Sequence, residues 1–144
     1  NPARVLLETW REVINEIGRE KLVIGGKSMG GRMASMVAAD LESEGNPVRG
    51  VVCLGYPFHP PGKPEKLRTA HLETLTTPTL ICQGARDPFG TAKEVPAYPL
   101  SKAIQLEWLE DGDHGFKPRK ASGRTEDQNW TAALDAIQAF CAKL

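Results

Sequence analysis

Apolar positions along the chain fall at two different spacings. Leu6, Trp10, Val13, Ile14 and Ile17 recur at helical intervals and predict an amphipathic helix that stops at Gly18. Leu22-Val23-Ile24 is a short apolar run ending in Gly25-Gly26, after which Met33, Met36, Val37 and Leu41 return to helical spacing with Gly45 as the stop. Residues 48–54 and 79–82 are two further apolar runs, the second entered through Pro78. Ile104, Leu106 and Trp108 alternate with Gln105 and Glu107, the period of a strand with one exposed face, and so predict an edge strand. A closing helix is marked by Thr125 and Gln128 at capping-box spacing. Trp130, Ala133, Leu134, Ile137, Phe140, Cys141 and Leu144 give it a broad apolar face.

Buried runs separated by helical segments predict an α/β fold, a parallel sheet with right-handed crossovers and helices on its faces. Residues 55–68 contain Pro57, Pro60, Pro61 and Pro64 and read as a loop leaving the C-terminal end of a strand, where ligands sit in open α/β sheets. No repeat, low-complexity tract or linker divides the 144 residues, which suit one domain.

Charge is balanced, 18 Lys+Arg against 18 Asp+Glu, which argues against a nucleic-acid partner held by a basic face. With 40% hydrophobic and 25% charged residues the composition is globular rather than disordered. No apolar run could span a bilayer, so no membrane partner is expected. Cys53, Cys82 and Cys141 fit neither a disulfide framework nor a metal site. Two lie in apolar runs and read as reduced core thiols of a cytoplasmic protein.

Gly26-Lys27-Ser28-Met29-Gly30 matches G-x-S-x-G directly after an apolar run and directly before a helix, the setting of a nucleophile elbow. Glycines two residues either side of the serine are expected to relieve clashes with neighbouring backbone. The strained turn lifts the Ser28 hydroxyl clear of the sheet, and the Met29 N–H at the helix start is placed to meet an oxyanion. Gly-Lys-Ser also ends a phosphate-binding loop, but the required first glycine falls at Lys21, so the nucleotide reading is disfavoured.

A serine nucleophile needs a base, and the base an orienting acid, in the chain order Ser, Asp/Glu, His. Asp87, in Gly84-Ala85-Arg86-Asp87-Pro88, follows the third apolar run. His114, in Asp111-Gly112-Asp113-His114-Gly115-Phe116, follows the edge strand. Both therefore sit level with Ser28. Asp111 and Asp113 compete as the carboxylate, but residues so close to a histidine in sequence usually shape its loop. Tyr56, Phe58 and His59 are candidates for a pocket wall, with core packing the equal alternative for the two aromatics. His71 reads as a surface residue of a short helix. Lys117, Arg119, Lys120 and Arg124 read as a solvated basic loop that could attract an anionic substrate group.

On these residues the chain resembles the α/β-hydrolase superfamily and its dienelactone-hydrolase-like branch. Within that branch it is similar to the small family that includes the regulatory subunit of the NSL chromatin complex and the testis-expressed hydrolase-like proteins. The resemblance is carried by GGKSMGGRMAS, GYPFHPPGKPEKLR, QGARDPFG and GDHGFKPRK. It implies Ser28 as nucleophile, Asp87 as acid, His114 as base and no cofactor. Dienelactone hydrolases carry cysteine at the nucleophile position, so Ser28 departs from them and dienelactone is not implied as substrate.

In the superfamily the elbow lies past the middle of the sheet, whereas here it follows the first strand. The resemblance thus implies a single domain lacking its N-terminal strands, with a parallel sheet of about four strands. It also implies the absence of a second oxyanion donor, worth roughly 3–4 kcal/mol of transition-state stabilisation. Residues 22–24 would form a bare edge prone to self-association. The expectation is a serine hydrolase acting on an ester or thioester, weakly active or inactive in this piece. The alternative is a non-catalytic protein-interaction module of the same fold.

Overall fold

The computed structural model describes residues 2–144. Chain order is α1 (Pro2–Ile17), β1 (Val23–Lys27), α2 (Met29–Ser43), β2 (Gly50–Leu54), β3 (Thr79–Gly84), β4 (Ile104–Leu109) and α3 (Glu126–Ala142). The strands form one parallel sheet in the order β1-β2-β3-β4. Lys27 pairs with Leu54, Leu54 with Cys82, and Gly84 with Leu109, so the four strands end at one rim.

Side chains alternate across the sheet, and each face has its own core. On one face Ile24, Val51, Cys53 and Ile81 meet Ala34, Val37, Ala38 and Leu41 of α2. On the other, Leu80 and Cys82 meet Phe116, Ala133 and Phe140, with Trp130 and Ile137 at the margin. All six residues of β3 are buried, and β4 is an edge with Gln105 exposed, as its alternation predicts. Among the described residues no helix is long and apolar enough to cross a membrane.

The helix termini follow their local chemistry. Gly18 and Gly45 adopt left-handed backbone at φ 101° and 77°, where a side chain is strained, and end α1 and α2. The α3 capping box forms in full, Gln128 N–H to Thr125 Oγ1 at 3.1 Å and Thr125 N–H to Gln128 Oε1 at 2.9 Å.

Two predicted apolar faces pack only in part. α1 seats through Leu7, Trp10 and Ile14 and is tied to the end of α2 by Arg11, whose guanidinium meets both oxygens of Glu44 at 2.7 and 2.9 Å. Leu6, Val13 and Ile17, expected inside, are 40%, 52% and 64% exposed. The reason is that α1 touches the rest of the fold along one narrow seam facing α2. On α3, Leu134 and Cys141 likewise face solvent because the helix contacts β3 and β4 along the line of Ala133 and Phe140.

Candidate active site

The elbow is built by close approach of helix to strand. Ser28 has φ 52° and ψ −120°, a conformation that costs a side-chain-bearing residue on the order of 1–3 kcal/mol. It is held there by its N–H to Leu54 O at 2.8 Å and by Arg32 N–H to Ser28 O at 3.1 Å. A Cβ on Gly26 would lie 2.6 Å from the Gly30 carbonyl carbon, and one on Gly31 would lie 2.6 Å from Gly26 O. The expectation that Gly30 relieves a clash is corrected: nothing lies within 4 Å of a Cβ there, and the obligatory partner of Gly26 is Gly31. Met29 opens α2, where backbone N–H groups have no intrahelical acceptor.

His114 comes from the loop after β4. That loop lies so close over β3 that a Cβ on Gly84 would sit 2.1 Å from Asp113 O. Asp113 Oδ1 accepts the N–H groups of Gly115 and Lys117, each at 2.9 Å. Asp111, at φ 55°, accepts from the Arg119 backbone N–H at 2.8 Å and guanidinium at 2.6 Å, and those bonds hold its carboxyl down to about 2. Asn129 of α3 fastens the loop by donating to Glu110 O and Phe116 O. Both aspartates thus shape the loop. Arg119 is consumed by Asp111, and Arg124 donates to Asn129 Oδ1, so two of the four basic residues are committed within the loop.

Asp87 lies on the loop after β3 and is fully buried. Burial pushes its carboxyl up from the ordinary range, against the lowering effect of its bonds to His114 and to the Phe89 N–H. His114 Nδ1–H donates to Asp87 Oδ2 at 2.8 Å and Phe89 N–H donates to Oδ1 at 2.8 Å. With Nδ1 donating to a carboxylate, Nε2 is the acceptor, and Ser28 Oγ–H donates to it at 2.9 Å. The imidazole rests between the Phe89 ring, 4.4 Å away at 36°, and Gly55, where a Cβ would come within 3.2 Å of His114 Cε1. The structure therefore brings Ser28, His114 and Asp87 into one hydrogen-bonded line.

The residues considered for a pocket wall lie elsewhere. Tyr56 and Phe58 are fully buried in the core on the α2 face, their rings 4.8 Å apart. The loop after β2 turns inward here because Tyr56 Oη–H finds Arg68 O at 2.8 Å. His59 is 3% exposed, with Nδ1 2.8 Å from Pro60 O and Nε2 2.9 Å from Glu94 Oε2, bracing two loops against each other. His71, read as a surface residue, is half-buried: its Nε2 lies 2.8 Å from Ser35 Oγ, and burial together with the Arg32 charge lowers its pKa to about 4.

Sequence reasoning passed over Gln83. It is fully buried, its Oε1 accepts Tyr56 N–H at 2.8 Å, and its Nε2 donates to Tyr56 O and Gly90 O at 3.1 Å each. It thereby locks the loop after β2 to the loop carrying Asp87. The signal was present in a glutamine that directly follows the apolar run Leu80-Ile81-Cys82 in a buried strand, since buried amides persist only where their bonds are made.

Residues 1–142 match the family described as alpha/beta hydrolase domain. Among solved structures, a monoacylglycerol lipase from Paleococcus ferrophilus superposes with a TM-score of 0.66 at 12% identity, covering 94% of this chain and 75% of that one. A CIB-like hydrolase from Thermoplasma acidophilum gives 0.57 at 19% identity, covering 92% of this chain and 58% of that one. The esterase domain of a Rhodothermus marinus protein gives 0.51 at 16% identity, covering 82% and 59%. At these identities the likeness is one of fold, and the chain spans under two thirds of the length of two of these three. Since the family match runs through nearly every residue, the chain belongs to the alpha/beta hydrolase domain family.

Proposed function

We propose that this chain carries the reacting groups of a serine hydrolase acting on an ester or thioester. The observation that carries the reading is the line Ser28 Oγ–His114 Nε2–Asp87 Oδ2, with links of 2.9 and 2.8 Å. Ser28 Oγ attacks the acyl carbon as His114 Nε2 takes its proton. Asp87 stays ionised, holds the Nδ1–H tautomer and stabilises the imidazolium. The Met29 N–H faces the developing oxyanion from the start of α2. Collapse of the tetrahedral intermediate expels the alcohol or thiol, which takes the proton back from His114. Water, deprotonated by the same imidazole, then releases the acid and restores Ser28.

The ester class is supported by the fold kinship with a lipase and an esterase domain. Within the superfamily, GGKSMGGRMAS and GDHGFKPRK favour the group of the NSL-complex subunit and the testis-expressed proteins. Three free thiols favour a reducing, cytoplasmic setting.

Fluorophosphonate labelling read by intact mass tests the reading. One adduct is expected on the wild type and none on Ser28→Ala or His114→Ala. A folded wild-type chain that takes no adduct would overturn it for this chain.

A further inference from the structure

A titratable pair outside the hydrolytic line stands where two loops meet. His59, on the loop after β2, is buried, and both of its ring nitrogens face acceptors. Nδ1 lies 2.8 Å from Pro60 O, and a carbonyl only accepts. Nε2 lies 2.9 Å from Glu94 Oε2. Burial raises the Glu94 carboxyl, but the bonds from Thr91 and His59 outweigh it and hold the group below its ordinary value. Oε1 accepts the Thr91 N–H and hydroxyl, each at 3.1 Å, and Oε2 of the ionised group likewise only accepts. A neutral imidazole has one N–H and one lone pair, and would turn that lone pair on an acceptor. Only a ring carrying two protons makes both bonds.

Short links carry this pair to the residues around Ser28. His59 N–H donates to Phe89 O at 3.1 Å, and Phe89 N–H donates to Asp87 Oδ1 at 2.8 Å. The Phe89 ring lies 4.4 Å from the imidazole of His114. Glu94, through Thr91, grips the far end of the same loop. The two loops approach so closely that a Cβ on Gly90 would lie 2.6 Å from Phe58 Cδ2. Gln83 also ties them, but its amide does not titrate. Among the other charged groups of these loops, Lys63, Glu65, Lys66 and Lys93 are exposed, Arg68 is half-buried and Arg86 is committed to Asp111. Tyr98 packs on Phe58 with ring centroids 5.7 Å apart, and burial and the Glu94 charge raise its hydroxyl.

We infer that His59 is a positioning residue for the proposed reaction: as a doubly protonated ring it clamps the loop after β2 to the loop that carries Asp87 and Phe89, and so holds His114 in its bond to Asp87. This deepens the serine-hydrolase reading and rests on it for the reaction served. Raising the pH has two opposite effects. It favours the neutral His114 that accepts from Ser28. It also removes the second proton of His59, which leaves a lone pair against an acceptor and one side of the clamp unmade. Glu94→Gln cancels the second effect. It turns Oε2 into an NH2 that donates to Nε2 of a neutral ring, while Oε1 keeps its Thr91 bonds and Nδ1–H keeps Pro60 O.

The test compares the wild type with Glu94→Gln and His59→Gln, each shown to be folded by circular dichroism. The fluorophosphonate labelling rate of Glu94→Gln over that of the wild type, taken at each pH, is expected to climb about tenfold from the acidic to the alkaline end, because the His114 proton enters both rates alike. His59→Gln keeps a donor toward Glu94 and gives up the one to Pro60. It is expected to label about tenfold more slowly than the wild type in acid, with the gap closing as pH rises. In 15N spectra taken at one pH, both ring nitrogens of His59 are expected to carry protons in the wild type and Nδ1 alone in Glu94→Gln. The low-field His114 Nδ1–H signal of the bond to Asp87 is expected to fade at lower pH in the wild type than in that variant. A rate ratio that stays level with pH, or a wild-type His59 with one bare nitrogen throughout the range, overturns the clamp. A chain that takes no adduct, but whose His59 and His114 signals behave as stated, would instead overturn the hydrolase reading and leave the clamp standing.

Discussion

At the C-terminal rim of the sheet, polar groups are buried and paired. Asp87 is inaccessible to solvent yet accepts from His114 and Phe89, and Gln83 satisfies three backbone groups at once. At the α1–β1 flank, apolar groups stand in water. Val5, Val13, Ile17 and Val23 are 56%, 52%, 64% and 38% exposed, and β1 pairs on one side only. The rim is determined several times over by contacts among these 144 residues, whereas the flank is apolar surface that these residues do not cover. Precision and burial are separate properties: the site assembles from groups far apart in the chain while a whole helix face nearby goes unmatched.

The sharpest way to break the contrast is at Asp87. Asp87→Asn keeps the shape but removes the charge that fixes the His114 tautomer, and labelling or turnover is expected to fall by about 10⁴-fold. Stability should move the other way. Because burial raises the folded-state pKa above the ordinary 3.8, the folded chain holds this proton more tightly than the unfolded chain. The ionised carboxylate is therefore a stability deficit, absent below pH 3.8 and growing as pH rises through the folded value. Calorimetry should show a Tm at pH 7 no lower in the variant, with a flatter acid limb. A lower Tm would mean that the bonds to Asp87 outweigh its burial.

Next in size is the backbone contact that seats the His114 loop. Gly84→Ala drives a methyl group into Asp113 O and is expected to cost about 1–3 kcal/mol in denaturant unfolding and to abolish labelling. Gly30→Ala, with nothing in its way, should be neutral or slightly stabilising. If both variants behaved alike, the rim would be less tightly determined than its geometry implies.

The smallest stability effect belongs to the flank. Val13→Glu and Ile17→Glu should each change unfolding free energy by no more than about 0.5 kcal/mol, because neither side chain is buried. The same changes are expected to reduce self-association through the α1–β1 side in sedimentation velocity. A large loss of stability in either variant would show that the flank is packed in solution.

Much of this was legible in the residues. Strand and helix positions follow from periodicity, and the chain order of Ser28, Asp87 and His114 follows from each standing just past a strand. The misreadings have a shared physical cause. Hydrophobic spacing says which residues lie on one face, but not whether anything covers it, so Leu6, Val13 and Ile17 of α1 were expected inside. Composition says that a proline-rich segment is a loop, but not that Tyr56, Phe58 and His59 turn inward once Gln83, Arg68 O and Glu94 supply their partners. His71 was misplaced in the same way, since its partner Ser35 lies 36 residues earlier in the chain. Long-range hydrogen bonding decides these cases, and it leaves no local pattern.

The strand order has a kinetic consequence. Because β1 to β4 neighbour one another in sequence, the sheet can grow one strand at a time through local crossovers. The Ser28–His114 bond instead joins residues 86 apart and can form only after the last strand docks. It closes the largest loop in the site and carries the highest ordering entropy. During refolding, circular dichroism should recover before reactivity does. In local opening, fraying of β4 should silence Ser28 while most of the sheet stays intact. On the serine-hydrolase reading, the reactivity of Ser28 is thus expected to report the docking of the last strand.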